Sequence, residues 1–199
     1  MEFVSYDEAM DVLGELGVIE SIQPGDMLQL SLADSDEVVH LHLVPPELMD
    51  CAKEARRTGA TVLSVEKSRL PELIEHLIHK LGLTQVLLLP IGKWRRVFDA
   101  VAFSLASNVH WREIDATASL ALNTRDPLLC EPPDLHTLRD LIAALVKDAE
   151  QPDQGIMITS TSSPLMVELH PNGTARISVG SIVLADEIIR TFGAASRAV

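Results

Sequence analysis

The first fifty residues contain neither lysine nor arginine. Twelve acidic side chains fall in that stretch, from Glu2 to Asp50, while the remaining 149 residues carry 17 acids and 16 bases. Twelve of the thirteen formal negative charges therefore belong to the first quarter of the chain. With a pI near 4.8, the protein has no surplus of cations to neutralise phosphates. Nonspecific nucleic-acid binding and docking on anionic lipid are both excluded on that ground. Aromatic residues make up only 4%, so a core must come from Leu, Ile, Val and Ala. There are two cysteines, Cys51 and Cys130, with no CxxC spacing, and both sit in apolar stretches. They are expected to be buried, reduced thiols. No apolar run approaches the roughly 20 residues that span a bilayer. The N-terminus lacks the basic and apolar regions of a secretory signal. Together these absences predict a soluble cytoplasmic protein.

What is present is ample apolar content, 47% of residues, arranged in readable periods. Ser5 and Glu8 have capping-box spacing and open a helix through Leu16, with Gly17 suited to its left-handed end. Leu28, Leu30 and Leu32 alternate with polar residues, as do Leu41 and Leu43 with His40 and His42. This reads as a β-hairpin over 27–43. Pro45-Pro46 opens a helix ending at Gly59, and 61–65 is a strand. Ser68 is placed as the cap of a helix over 69–81, followed by Gly82. Residues 85–89 are apolar after Gln85, as in a central strand buried on both faces. A helix over 94–105, a strand over 111–123, a strand at 128–130 and a helix over 135–149 follow. Residues 156–160 form a strand. Residues 165–170 and 174–179 form a hairpin about Pro171-Asn172-Gly173, and Ser181 caps a last helix ending near Phe192.

The order predicts an α/β protein of mixed α+β character, with about six helices covering a mixed sheet with embedded hairpins. Pro45-Pro46-Glu47-Leu48 and Pro132-Pro133-Asp134-Leu135 each precede a helix and a strand, which suggests a diverged ββαβ duplication. Residues 1–193 read as one globular domain, with possible halves 1–107 and 108–193. Residues 194–199 read as a frayed tail.

The candidate chemistry is sparse. Asp34-Ser35-Asp36-Glu37-Val38 fits the D-x-D-x-V letters of dehalogenase-like phosphotransferases. No lysine lies between Ser160 and Asp186-Glu187, however, and three acids at a turn have a simpler role as solvated residues. His40 and His42 share a strand face about 7 Å apart. They are weak metal candidates, because no third ligand is supplied nearby. Glu75, His76 and His79 lack HExxH order and lie on the polar side of their helix. His110, His136 and His170 stand at element ends without an informative partner. Gly180-Ser181 is explained by capping.

The sharper site is Gly92-Lys93-Trp94-Arg95-Arg96, where an apolar strand meets a helix. Cations there oppose the helix dipole, so local stability does not account for them. A helix start beside a strand end also suits a small anion. Lys93, Trp94, Arg95 and Arg96 are therefore the tentative ligand-binding residues. No catalytic residue, no resident metal and no cofactor is expected, since no Walker, Rossmann or nucleophile-elbow motif is present. The resulting expectation is a non-enzymatic binding or regulatory protein that meets a protein partner or a second copy. The alternative is a small α/β enzyme or sensor that takes an anionic metabolite at Gly92–Arg96.

Overall fold

The computed structural model describes residues 1–33, 35, 37–50, 52 and 61–193. The fold has mixed α/β character, as expected, with six α-helices, an eight-stranded sheet and a separate two-stranded one among the described residues. The strands are β1 (Glu2–Phe3), β2 (Val18–Gln23), β3 (Met27–Leu32), β4 (Val39–Val44), β5 (Thr61–Ser64), β6 (Val86–Pro90), β7 (Leu128–Cys130), β8 (Ile156–Ser160), β9 (Leu165–Leu169) and β10 (Ala175–Val179). The helices are α1 (Tyr6–Glu15), α2 (Leu70–Lys80), α3 (Trp94–Val101), α4 (Val109–Thr117), α5 (Leu135–Asp148) and α6 (Ile182–Phe192). The large sheet runs β1-β7-β6-β8-β9-β10-β4-β5, and β2 pairs with β3 alone. Every neighbour in the large sheet is antiparallel except β4 and β5. None of the described helices is long and apolar enough to cross a membrane.

Strand parity decides what each face of the sheet meets. Leu88, Ile158, Val167, Ile177, Leu41 and Leu43 point to the side packed by α2, α3, α5 and α6. Leu87, Leu89, Met157 and Met166 point the other way, against Ala9 and Leu13 of α1 and Leu28, Leu30 and Leu32 of β3. This double cover explains why all five residues of β6 are buried. The α1 and β2–β3 layer extends over β6, β8 and the start of β9. Beyond it, the same face carries Glu168, Arg176, Ser178, His40 and His42, placed there by the register of β9, β10 and β4.

Several local expectations hold. The Ser5 hydroxyl accepts from the Glu8 N–H at 3.5 Å, and the Ser181 hydroxyl accepts from that of Leu184 at 3.3 Å. Gly17, Gly82 and Gly173 have φ of 78°, 62° and 81°, the region that favours glycine. Cys130 is buried, and loss of solvation pushes its thiol up to about 12. Cys51 lies outside the described residues, as do Asp34, Asp36 and the tail from 194.

Four expectations are corrected. The hairpin over 27–43 does not form: β3 pairs with β2, and β4 pairs with β10 and β5. Strand β2 has five of its six residues exposed, so no apolar alternation announces it. Residues 111–123 are not a strand. Asn108 caps α4, its side-chain oxygen accepting from the Trp111 N–H at 2.9 Å, and the helix buries Trp111 and Ile114 three residues apart. Ser68 does not cap α2. It lies in a 3-10 turn, Lys67–Arg69, and its hydroxyl donates to Glu66. The two Pro-Pro segments share no pairing pattern: β4 and β5 are direct neighbours, whereas β6 lies between β7 and β8. A 3-10 turn, Pro46–Leu48, follows Pro45, and the rest of the helix expected there falls outside the described residues.

Candidate functional site

At the end of β6 the chain is closely packed. The Ile91 N–H donates to the Gly155 carbonyl at 2.9 Å and that of Gly92 to the Asp153 carbonyl at 3.2 Å. A Cβ on Gly92 would stand 2.5 Å from that Asp153 oxygen, so glycine is required by close backbone approach. Each candidate residue beyond it has a partner within the chain. Trp94 is fully buried, its indole N–H donating to the Asp126 carbonyl at 2.7 Å. Its ring meets Phe3 and Phe98 edge-on, which makes it part of the core. Arg95 Nε donates to Asn123 Oδ1 at 3.3 Å. Arg96 grips Asp153 with two donors, at 2.8 and 3.3 Å. Lys93 Nζ lies 3.7 Å from Asp26, and Arg125 Nη2 lies 3.0 Å from the same carboxylate. Arg125 also donates to the carbonyls of Gly92 and Asp26. Its guanidinium holds the Asp26 carboxyl below the usual carboxylate range. Asp26 belongs to the cation-free quarter and sits in the β2–β3 turn at φ 58°. The acidic stretch and the basic turn thus meet at this point within one chain, which ties the hairpin to the sheet.

A second constellation assembles on the uncovered part of the sheet. The register sets Glu168 of β9 opposite Arg176 of β10, and Arg176 opposite His42 of β4. Three strands therefore present one row of ionisable groups on one face. Glu168 has only 13% of its side chain exposed. Burial alone would raise its carboxyl, but the hydrogen bond with His170 and the charge of Arg176 outweigh it and leave the group below its ordinary value. His170 Nε2 lies 3.2 Å from Glu168 Oε1. Arg176 Nη2 lies 2.8 Å from Glu168 Oε2. That nitrogen is buried and its N–H bonds meet no acceptor in hydrogen-bonding geometry among the described residues. His42 is held below the usual imidazole value by loss of solvation first, then by the charges of Arg176 and His40. One step along the strands, His40 Nδ1 meets the buried Ser178 hydroxyl at 2.8 Å. Among the described residues no three His, Cys, Asp or Glu groups gather as a metal site, so His40 and His42 gain no third ligand.

This row lines a cavity of about 450 Å³, together with the polar Gln29, Asn172 and Thr174 and the apolar Val44, Leu48 and Ala52. The polar groups are one-sided in their chemistry. Gln29 Oε1 already accepts from Gln23 at 2.8 Å, and Asn172 Oδ1 accepts from both the N–H and the hydroxyl of Thr174. Both amides thus have their acceptor occupied and their NH₂ donors uncommitted among the described residues. Glu168, the only carboxylate of the cavity wall among the described residues, is taken by Arg176 and His170. The cavity offers donors and few acceptors. A carboxylate-oriented imidazole such as His170 can also hold or pass a proton.

A larger groove of about 930 Å³ runs between α4 and α5. Several of its polar groups are occupied internally. Asp134 takes the Glu131 N–H at 3.0 Å, His110 at 2.9 Å and the Met1 amino group at 2.7 Å, and Asn108 donates to Asp140 at 2.9 Å. That saturation separates it from the smaller cavity.

Of the residues singled out in the sequence, His42 enters the candidate site and His40 stands beside it. Lys93, Trp94, Arg95 and Arg96 do not line it. Glu168 and Arg176 were missed, and His170 was noted without its partner Glu168. Their signal is parity: Glu168 and His170, Arg176 and Ser178, and His40 and His42 each stand two apart on strands whose other positions are apolar. Compared with family models, with curated proteins and with solved structures, the chain matches none.

Proposed function

We propose that this is a binding or sensing protein for a small, acceptor-rich molecule bearing a carboxylate or phosphate, held in the cavity on β4, β9 and β10. The observation that carries the reading is the surplus of uncommitted donors around the buried Arg176 nitrogen. Arg176 Nη2 is ion-paired with Glu168 at 2.8 Å, and an anionic acceptor would share that guanidinium and take the uncommitted NH₂ donors of Gln29 and Asn172. The apolar wall of Val44, Leu48 and Ala52 fits a ligand with one nonpolar side. The Lys93–Arg96 turn supports such a ligand less well, because its cations are engaged by Asp26, Asn123 and Asp153. A thermal-shift panel of carboxylates, sugar phosphates and nucleotides tests the reading. A hit should raise the melting temperature of the parent protein and of Arg95→Gln, and should lose its effect in Arg176→Gln. A panel with no hit at millimolar concentration, or a hit that survives Arg176→Gln, rejects the site.

A further inference from the structure

A second surface lies on the β2–β3 hairpin. Strand β2 pairs only with β3, so its other edge has no strand partner among the described residues. Five of its six residues are exposed. Ile19 and Ile22 are 54% and 53% exposed, and Val12 on the neighbouring helix is 41% exposed. An exposed strand edge flanked by apolar side chains is a template for a further strand. There is no lysine on this edge, and its only proline neighbour, Pro24, lies beyond its end.

The charges around this edge define what would pair with it. Asp7, Glu8, Asp11 and Glu15 on α1 and Glu20 on β2 are all exposed. Glu20 accepts from the Tyr6 hydroxyl at 2.6 Å, which fixes helix and strand side by side. Asp7, Asp11 and Glu15 repeat at four-residue intervals, a like-charge spacing that destabilises a helix. The last turn of α1 has no basic residue, so Glu15 also opposes the helix dipole. The helix dipole favours Asp7 and Glu8 in the first turn, but helix stability gives no reason for Asp11 and Glu15, and none of these four helix acids forms an ion pair among the described residues. Pairing of β2 with β2 of a second copy would set two such acidic fields together. This quarter of the chain has no lysine or arginine to offset them.

We infer that the β2 edge, with the acidic face of α1, docks an extended basic segment of another protein, in which Lys or Arg alternates with apolar residues. The segment adds a strand to β2; its cations face Glu20 and α1, and its apolar residues cover Ile19 on the opposite face. This surface is separate from the cavity and stands whether or not the cavity binds a ligand.

The test uses the full chain, ¹⁵N-labelled, and a capped peptide alternating Val and Lys that is long enough to span the strand. Its control is the same peptide with Glu for Lys. The Val-Lys peptide should shift and protect amides of residues 18–23, and raising salt past the screening range should weaken it. Asp11→Lys with Glu15→Lys, both exposed and unpaired, should weaken it about tenfold while leaving the circular dichroism spectrum unchanged. Ile19→Asp should weaken it independently of charge on the helix. Equal binding of the two peptides, shifts confined to α1 with β2 amides unchanged, or a salt-resistant dimer without peptide would each overturn the inference. If the double variant failed to fold, Ile19→Asp and the Glu peptide would still decide it.

Discussion

Replacing Gly92 by alanine places a methyl group where the structure has no room. The new Cβ would stand 2.5 Å from the Asp153 carbonyl oxygen and 3.0 Å from the Asp153 Cβ. Relief requires the two backbones to separate by about half an ångström or more. The 150–155 segment is poorly placed to give way, because Arg96 holds Asp153 by two hydrogen bonds and Gln154 accepts the Gln151 and Glu150 N–H groups at 2.8 Å each. Separation would also stretch the 3.2 Å bond from the Gly92 N–H. Overpacking of this kind costs about 1–3 kcal/mol. For a chain of this size each kcal/mol lowers the melting temperature by about 2–4 °C. Gly14 is the built-in control. It lies near the end of α1, and a Cβ there meets nothing within 4 Å. Gly14→Ala should therefore stabilise by about 0.5–1 kcal/mol. Urea titrations of both variants check the pair of signs. A Gly92→Ala protein as stable as the parent would refute the view that this turn is a packed joint.

Further outcomes follow from the same geometry. His42 is held below the ordinary imidazole value near 6.5, so the unfolded chain takes up its proton first as pH falls. Stability should decline from about pH 6.5 downwards through the depressed folded value, and His42→Gln should flatten that limb. Parallel melting-temperature curves between about pH 7 and 5 would contradict it. Glu168 acts in the same direction at lower pH: its stabilisation is present above the ordinary carboxylate range and is lost as pH falls through its depressed value. Trp94→Phe removes the donor to the buried-side Asp126 carbonyl and should cost about 1–3 kcal/mol in urea, whereas a ligand-facing tryptophan would leave stability near the parent value.

Much of the fold was legible because most elements bury one face. Helix α2 buries Leu70, Leu73, Ile74, Leu77 and Ile78 at the helical period, and β6 is apolar throughout because both its faces are covered. The misreadings fall where that condition fails. Strand β2 is almost wholly exposed, so its residues carry no alternation. Helix α4 buries only Trp111 and Ile114, too few to outweigh a β-like composition. The pairing of β3 was misjudged for a different reason. Leu28–Leu32 and Leu41–Leu43 alternate alike, and nothing local says that the first packs over the sheet while the second lies within it. The site followed the same logic. His40 and His42 were visible, but Glu168, His170 and Arg176 lie over 120 residues away and join them only through the β9-β10-β4 register. The basic turn was visible as charge, and its role changed once Asp26, Asn123 and Asp153 were found to meet it.

The proposed function requires the His42–Arg176 cavity to receive an anion. The most direct measurement is the titration of the His42 imidazole by NMR, with and without millimolar inorganic phosphate, in the parent protein and in Arg176→Gln. An anion beside Arg176 should raise the His42 midpoint by about one unit in the parent and leave it unmoved by phosphate in the variant. A His42 midpoint indifferent to phosphate in both proteins would contradict the claim.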